Sequence, residues 1–299
     1  MDQPLVSVIM PAFNAELFID EAIQTVLNQT YYCWELIVIN DGSTDNTCKI
    51  VNKYSLLDHR IKLLHQKNGK QGKARNYGIS ESLGNYIAFL DADDLWEENK
   101  LQIQVDFLTR NEDIDLVFSQ GYSLENANQK HYNVIVKSYW DEKDIPLFID
   151  NNQIPILSVL MKKSSLLQAN NFTENPKIQN AEDYHLWLKL LLKKFKFSSL
   201  ENRLFTYRLH ECQSTYDNDQ IPQIVNMFID LHQVSRGTSY SNFFLQRVKW
   251  HLFDKKYHFE ILQLLGKLKH LGKLKRIILS LSTFIPSLQL RAKTLFHLI

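Results

Sequence analysis

Cysteine is scarce in this chain of 299 residues, which has Cys33, Cys48 and Cys212. The wide spacing of the three residues excludes the usual zinc motifs, and their odd number excludes a fully paired set of disulfides. We therefore expect a reducing, cytoplasmic setting. Apolar residues at 44% and charged residues at 22% exclude a chain that is disordered throughout.

Long apolar runs are missing as well. No stretch approaches the roughly 18 uninterrupted apolar residues that indicate a transmembrane helix. The N-terminus passes from Asp2 and Gln3 directly into a strand-like run, without the basic region, apolar stretch and cleavage site of a signal peptide. The sequence predicts a cytoplasmic protein whose attachment to the inner face of the membrane, if any, is peripheral.

The net charge of +1 conceals an uneven distribution. Residues 1–235 contain 22 basic and 31 acidic residues, whereas residues 236–299 contain 12 basic residues against Asp254 and Glu260 alone. Such a division indicates two parts with different partners. The basic part suits an anionic membrane, a nucleic acid or a contact with the acidic remainder of the chain.

Short apolar runs alternate with helical patterns through the first hundred residues. The run Leu5–Met10, closed by Pro11, predicts a buried strand, and Ile19–Leu27 has the spacing of a helix buried on one side. Further strands are predicted at 36–39, 61–64 and 86–90, and further helices at 45–54 and 72–83. This alternation indicates an α/β fold with a mostly parallel sheet, whose ligands bind beyond the carboxyl ends of the strands.

The second half of the chain is less regular. Residues 120–155 predict loops and an insertion. Beyond them we expect a helix over Asp183–Lys194, two strands over Phe195–Ser199 and Leu204–Leu209, and only helices from Pro222 onward.

The strongest chemical motif is Asp91-Ala92-Asp93-Asp94, which follows the apolar run Tyr86–Leu90. Close carboxylates repel one another unless a cation lies among them, and Mg²⁺ or Mn²⁺ prefers carboxylate and phosphate oxygens. As strand residues i and i+2, Asp91 and Asp93 would point at one ligand. In the alternative interpretation, Asp94 caps a helix that begins directly after it.

Two further polar segments also follow predicted strands. In Asn40–Asp45, Asp41 is suited to accept hydrogen bonds from a nucleobase or a ribose, and a plain turn with a helix cap is the alternative. In Asn68–Asn76, the glycines allow close backbone approach and the basic residues Lys70, Lys73 and Arg75 suit phosphate. A solvated, basic start of a helix is the alternative for this second segment.

Four segments together resemble the family 2 glycosyltransferases in order and spacing: Val6–Asn14, Glu35–Asp45, Gly72–Ile79 and Gly84–Asp94. The resemblance implies an inverting enzyme with a glycosyltransferase A type, Rossmann-like fold. It also implies a nucleotide-diphosphate sugar as donor, with a UDP-sugar expected, and Mn²⁺ or Mg²⁺ as cofactor. We predict a catalytic domain at 1–218, with a donor half of about 1–100 and an acceptor half of about 101–218, and a helical basic region at 219–299.

By the same resemblance, Pro11 shapes the first donor loop, Asp41 contacts the nucleobase and Arg75 lies near the nucleotide. Asp93 is the expected metal ligand, and Asp91 lies near the ribose or the metal. One departure is Asn40, where many members of the family have Asp.

The resemblance extends into the second half of the chain. The segment Ala181–Trp187 is similar to one whose aspartate, here Asp183, is the catalytic base at a helix start. An acid that serves only the first turn of the helix is the alternative. Tyr207–His210 resembles a segment that closes on the diphosphate, so His210 is a weaker candidate for a metal or phosphate ligand, with a structural histidine as the alternative.

Two other functions remain open at this point. A D-x-D motif after an apolar strand also occurs in phosphatases of the haloacid dehalogenase type, although those continue Asp-x-Asp-x-Thr. A catalytically inactive scaffold that binds sugar nucleotides is the non-enzymatic alternative. Family analogy favours transfer to a glycan or a lipid-linked acceptor in bacterial surface polysaccharide or glycolipid assembly.

Residues 247–299 combine leucines with lysines and arginines. Basic amphipathic segments of this kind lie in the interface of anionic membranes. The predicted partners are thus a nucleotide-sugar donor, an acceptor and a membrane surface, with no nucleic acid. Packing of these apolar faces on protein is the alternative.

Overall fold

The structure is a computed structural model that describes residues 3–211, 213 and 220–251, with side chains as far as Val248. It divides into two compact units. The first comprises residues 1–174 and 182–216, and the second comprises residues 175–181 and 217–299.

The first unit is an α/β fold. Its strands are β1 (Val6–Ala12), β2 (Trp34–Asn40), β3 (Ile61–His65), β4 (Tyr86–Phe89), β5 (Leu95–Trp96), β6 (Leu116–Glu125), β7 (Asn128–Tyr132), β8 (Leu160–Lys162) and β9 (Phe197–Leu209). Its α-helices are α1 (Ile19–Leu27), α2 (Thr47–Leu57), α3 (Lys70–Glu81), α4 (Lys100–Arg110), α5 (Ile145–Asp150), α6 (Lys163–Gln168) and α7 (Glu182–Leu192).

In the described part of the chain, one sheet joins these strands in the order β3-β2-β1-β4-β8-β6-β9-β5, and β7 pairs with β6. The strands β3, β2, β1 and β4 are parallel, as are β6 and β9, whereas β8 and β5 run antiparallel to their neighbours. Every residue of β1 and β2 is buried, which explains why all of them except Ser7, Glu35 and Asn40 are apolar. The predicted mostly parallel α/β sheet is confirmed.

Helix α3 lies directly on the centre of the sheet at Gly78. A Cβ atom at this position would come within 2.6 Å of Cδ1 of Ile39 and 2.8 Å of Cγ2 of Ile9. Since these isoleucines belong to β2 and β1, only a residue without a side chain lets the helix approach both strands so closely. This packing fixes α3 beside the carboxyl ends of the two strands.

Strand β1 continues through Pro11, so the predicted end at Met10 is wrong. Its pairing with β4 stops at Ile9, whereas its pairing with β2 continues to Ala12. Beyond Ile9 the edge of β1 that faced β4 has no strand partner. Proline is tolerated there because its missing N–H removes no bond from the ladder.

Residues 120–155, predicted as loops and an insertion, contain a β-hairpin. Strands β6 and β7 pair from Gly121 with Tyr132 to Glu125 with Asn128, which leaves a two-residue turn. Its residues, Asn126 and Ala127, both have positive φ angles, of 47° and 65°. Tight hairpin turns need this conformation, but the usual Asn-Gly signature is missing because alanine occupies the second position.

Strand β9 is a single strand where the sequence predicts two. The exposed polar residues Glu201 and Asn202 interrupt its apolar pattern. The strand nevertheless pairs with β6 from Phe197 to Leu209, and register shifts near Gln120 absorb the interruption.

The described part of the second unit contains helices α8 (Ile221–Val234) and α9 (Ser241–His251). Pro222 lies in the first turn of α8, where its missing N–H costs nothing, and the rings of Phe228 and Phe244 stack 6.1 Å apart. Within the described ranges, no helix has the combined length and apolarity that a membrane crossing requires. Most of the predicted membrane-binding segment, 252–299, lies outside the described residues.

Candidate active site

Arg75, in the middle of α3, connects two acidic segments. Its Nη2 donates to Oδ1 of Asp91 and its Nη1 donates to Oε1 of Glu182, each over 2.8 Å. Burial alone would lower the pKa of this guanidinium, which is 3% exposed, but the carboxylates of Asp91 and Glu182 raise it. Arg75 therefore stays charged and holds the turn after β4 against the start of α7.

The segment Asp91–Asp94 is a turn, so the expectation that Asp91 and Asp93 share one face of a strand is wrong. The backbone N–H of Asp94 donates to the carbonyl of Asp91 over 3.1 Å. Strand β4 ends at Phe89 because its pairing with β1 and β8 goes no further. The side chains of Asp91 and Asp93 are 28% and 29% exposed, so both remain accessible to a ligand.

Asp94 does not cap a helix, which corrects the alternative interpretation of this residue. The two residues after it form β5, which pairs with β9, and α4 begins only at Lys100. Oδ1 of Asp94 accepts a hydrogen bond of 2.8 Å from the backbone N–H of Arg208. Burial, together with Asp93 and Asp91, raises the pKa of Asp94 well above its usual value. Asp94 thus ties the turn to the end of β9.

His210, just beyond β9, meets the second aspartate of the D-x-D motif. Its Nε2 lies 3.0 Å from Oδ2 of Asp93, and the ring of Phe18 lies 4.4 Å from the imidazole. Burial and Asp91 raise the pKa of Asp93, whereas His210 lowers it. Two residues that are 117 positions apart in the chain therefore form one polar pair.

Asp183 is the second residue of α7 and follows Glu182 directly. Its Oδ1 accepts from the backbone N–H of Tyr184 over 2.7 Å, and its Oδ2 accepts from Nδ2 of Asn152 over 3.3 Å. Burial and the charge of Glu182 raise the pKa of Asp183 to about 6, against the lowering effect of Arg75. A carboxylate with this pKa is ionised at neutral pH and accepts a proton more readily than an ordinary aspartate, as a general base requires.

Asp41 belongs to a second group of contacts, at the start of α3. Its backbone N–H donates to the carbonyl of Ala12, the last residue of β1, so the ends of β1, which contains Pro11, and β2 are adjacent. Its carboxylate accepts three hydrogen bonds of 2.7–2.8 Å, from the side chain of Gln66 and the backbone N–H groups of Gly69 and Lys70. Helix α3 therefore carries one group of predicted site residues at its N-terminus and the other at its middle.

The basic residues of α3 do not form a single phosphate-binding group. Positions 73 and 75 are separated by roughly 200° around a helix. Arg75 faces the carboxylates, whereas Lys73 lines a cleft of about 450 Å³ together with His65, Gln66, Asn76, Tyr77, Ser80 and Glu174.

Three residues near Asp183 were missed at the sequence level. Glu182 was recognised only as part of a segment, and its pairing with Arg75, 107 positions away, has no local signature. Burial, Asp183 and Asp94 raise the pKa of the Tyr132 phenol, which lies on the hairpin that the sequence did not predict. Asn152 lies in the amide run 151–153, and amides are so common in loops that this signal was not specific.

The acidic centre fits a divalent cation. Neighbouring negative charges help to raise the pKa values of Asp93 and Asp94, and Oδ2 of Asp94 and Oε2 of Glu182 have no hydrogen-bond partner among the described residues. In the described part of the chain, no group of three or more His, Cys, Asp or Glu side chains is arranged to hold a metal. Mg²⁺ is usually bound by one or two carboxylates and completed by substrate phosphates and water, which suits this arrangement.

The fold around this acidic centre is that of the glycosyltransferases of the A type. The S. aureus protein TarS in complex with UDP-GlcNAc shares the fold with a TM-score of 0.69 and 20% identity, over 93% of this chain and 80% of that chain. The Pyrobaculum calidifontis mannosyltransferase PcManGT in complex with GDP-Man and Mn²⁺ has a TM-score of 0.60 and 16% identity, over 100% and 86% of the two chains.

The family follows from the sequence comparisons. Residues 7–165 match glycosyl transferase family 2, and the chain belongs to this family. The predicted resemblance is confirmed, and the phosphatase alternative is wrong.

Relatives within the family differ in length. The Escherichia coli UDP-Glc:α-D-GlcNAc-diphosphoundecaprenol β-1,3-glucosyltransferase WfgD is 33% identical, over 86% of this chain and 98% of that protein. The Bacillus subtilis putative teichuronic acid biosynthesis glycosyltransferase TuaG is 32% identical, over 69% and 80%. A Rickettsia bellii uncharacterized glycosyltransferase is 35% identical over 71% of this chain, which spans only 30% of that protein.

Proposed function

We propose that this chain is an inverting glycosyltransferase that moves a sugar from a UDP-sugar to an acceptor hydroxyl, with Asp183 as the base. The observation that carries the proposal is the position of Arg75, bonded to both Asp91 and Glu182. One buried guanidinium thereby joins the D-x-D turn to the residue that precedes the base. A scaffold that only binds a donor would not need an aspartate with a pKa of about 6 at that point.

The donor is proposed to bind along α3. An ionised carboxylate has about four lone-pair sites, and the carboxylate of Asp41 uses three of them within the chain. We propose that the remaining site accepts a nucleobase N–H, beside the end of β1 that contains Pro11. Arg75, further along the same helix, and its partner Asp91 would then lie toward the ribose and the diphosphate.

Asp93 and Asp91 are proposed to hold Mn²⁺ or Mg²⁺, with His210 as the group that orients Asp93. The ion would supply Lewis-acid stabilisation of the charge on the leaving diphosphate. The hydrogen bond of 3.0 Å from His210 fixes one carboxylate oxygen of Asp93 and leaves the other oxygen for a ligand.

Asp183 is proposed to take the proton of the acceptor hydroxyl as its oxygen bonds to the anomeric carbon. The bond from this carbon to the diphosphate oxygen breaks, and the nucleoside diphosphate leaves. Attack from the face opposite the diphosphate inverts the anomeric centre. A general base of this kind contributes about 10²–10⁴-fold to the rate.

A sugar on a lipid diphosphate is the proposed acceptor, in bacterial surface polysaccharide or glycolipid assembly. This proposal rests on the relative WfgD, which is named for α-D-GlcNAc-diphosphoundecaprenol, and on TuaG, which is named for teichuronic acid. The proposed catalytic domain is 1–218. The proposed location is the cytoplasm, with the basic region at the inner face of the membrane.

Donor and metal binding can be tested by thermal unfolding with UDP-Glc or UDP-GlcNAc in Mn²⁺ and in EDTA. A ligand that binds the native state raises the melting temperature by mass action. We expect Mn²⁺-dependent protection in the wild type and in Asp113→Ala, an exposed acidic control, but not in Asp93→Ala. Equal protection in EDTA and in Asp93→Ala would contradict the metal assignment.

A further inference from the structure

A pocket of about 250 Å³ lies beside the proposed base and is not explained by donor binding. Two segments line it: His131–Val134, which covers the end of β7 and the residues after it, and Asn151–Gln153, which follows α5. The volume is below the about 300–1,000 Å³ of sites for drug-sized ligands, so the pocket suits a small ligand such as a single sugar ring.

Asn152 connects this pocket to Asp183. Its Oδ1 accepts from the backbone N–H of Ile154 over 3.2 Å, which turns its Nδ2 toward Oδ2 of Asp183, 3.3 Å away. The same side chain lines the pocket. A ligand hydroxyl in contact with Asn152 is therefore one side chain away from the carboxylate that would take its proton.

Apart from His131, the other lining side chains are neutral amides, one aromatic ring and Val134. Arg203 lies behind Asn133 and donates to its Oδ1 over 2.8 Å, so the Nδ2 of Asn133 remains as a donor. The ring of Tyr132 is held edge-on by Phe205 and Tyr207, with centroid distances of 5.6 and 6.2 Å. No Lys, Arg, Asp or Glu side chain lines the pocket.

We propose that this pocket binds an uncharged sugar ring of the acceptor and presents one of its hydroxyls to Asp183. The inference rests on the proposed glycosyl transfer. Amide groups both donate and accept hydrogen bonds, as neighbouring sugar hydroxyls do, and an aromatic ring offers an apolar face to the C–H side of a pyranose. A uronic acid or a sugar phosphate would find no Lys or Arg in the lining, and an amino sugar would find no carboxylate other than Asp183, which the proposal assigns to the hydroxyl.

The test is saturation-transfer NMR on the full chain with UDP and Mn²⁺ present. The probes are the methyl α-glycosides of N-acetylglucosamine and glucose as neutral sugars, methyl glucuronide as an anion and methyl glucosaminide as a cation. The pocket variants are Asn133→Ala and Gln153→Ala, and Asn128→Ala at the far end of β7 is the matched control. Protection by UDP against thermal unfolding is measured in every protein as a separate test of donor binding.

We expect at least one neutral glycoside to bind the wild type and Asn128→Ala equally, and each pocket variant to weaken this binding at least tenfold with unchanged UDP protection. The proposal is overturned if a charged glycoside binds more tightly than the neutral glycosides. It is also overturned if both pocket variants bind the neutral glycosides as well as the wild type does. Absence of saturable binding by either neutral glycoside at millimolar concentrations also overturns it. A wild type that UDP fails to protect contradicts the proposed function instead, whether or not the neutral glycosides bind.

Discussion

At the scale of single residues, the site concentrates negative charge. Asp91, Asp93, Asp94, Glu182 and Asp183 are near one another, and burial and mutual repulsion raise the pKa values of three of them, Asp93, Asp94 and Asp183. Arg75 is the buried cation that offsets part of this charge. Such concentrated charge destabilises the folded chain, which is a common property of active sites.

The first prediction concerns stability and Asp183. Burial and Glu182 raise its pKa from the usual 3.8 to about 6 in the folded chain, so ionisation costs folding free energy in full above pH 6 and nothing below pH 3.8. Asp183→Asn removes this cost, and we expect its free energy of unfolding at pH 7.5 to rise by about 1–3 kcal/mol. Urea unfolding at pH 7.5 and pH 4 measures the effect. A variant less stable than the wild type at pH 7.5 would contradict the assigned environment.

The second prediction concerns Arg75. Arg75→Met removes the partner of two carboxylates, one of them buried, and should lower the free energy of unfolding by about 3–5 kcal/mol. The control is Lys130→Met, which removes the exposed ion pair of 3.9 Å between Lys130 and Glu125. This variant should change the free energy of unfolding by no more than about 1 kcal/mol. If urea unfolding shows equal changes in the two variants, Arg75 does not hold the site together.

At the scale of elements, the sequence predicts strands and helices best where a single hydrophobic periodicity dominates the segment. The strands β1 and β2 are buried throughout, so their apolar runs are unambiguous, and α1 buries one regular face. The prediction fails at β9 and at the hairpin of β6 and β7, where long-range pairing overrides local composition. The same limit applies to the site, because motifs predicted its aspartates whereas Glu182 and Asn152 act through contacts with distant parts of the chain.

The third prediction concerns the hairpin turn. Ala127 has a φ of 65°, a conformation that costs an L-residue with a side chain about 1–2 kcal/mol and that glycine adopts freely. Ala127→Gly relieves this strain, but glycine also gains entropy in the unfolded chain, which offsets part of the effect. We therefore expect the free energy of unfolding to rise by about 0.5–1 kcal/mol. Ala169→Gly, at a φ of −82° after α6, is the control and should be destabilising. A loss of stability in Ala127→Gly would show that the turn does not have this geometry.

At the scale of the whole molecule, the charge is divided between an acidic body and a basic C-terminal region. The fourth prediction is that the full chain binds vesicles containing anionic lipid and that salt weakens this binding. Each Lys or Arg close to such a surface contributes about 1 kcal/mol. The effect is measured by co-sedimentation with these vesicles, in which the full chain is compared with a variant that ends at residue 251 and retains α8 and α9. Equal recovery of both proteins in the supernatant at low salt would contradict the proposed membrane contact.

The central claim, base catalysis by Asp183 in transfer from a UDP-sugar, is tested most directly by the pH dependence of kcat for acceptor-dependent UDP release. The assay uses α-D-GlcNAc-diphosphate on a lipid tail as the test acceptor, and UDP-Glc, UDP-GlcNAc and other UDP-sugars as test donors. We expect wild-type kcat to fall about tenfold per pH unit below about pH 6, as Asp183 becomes protonated. Asp183→Asn should reduce kcat at pH 7.5 by about 10²–10⁴-fold and leave donor protection unchanged. Wild-type turnover in Asp183→Asn, with the same decline toward acid pH, would contradict the account.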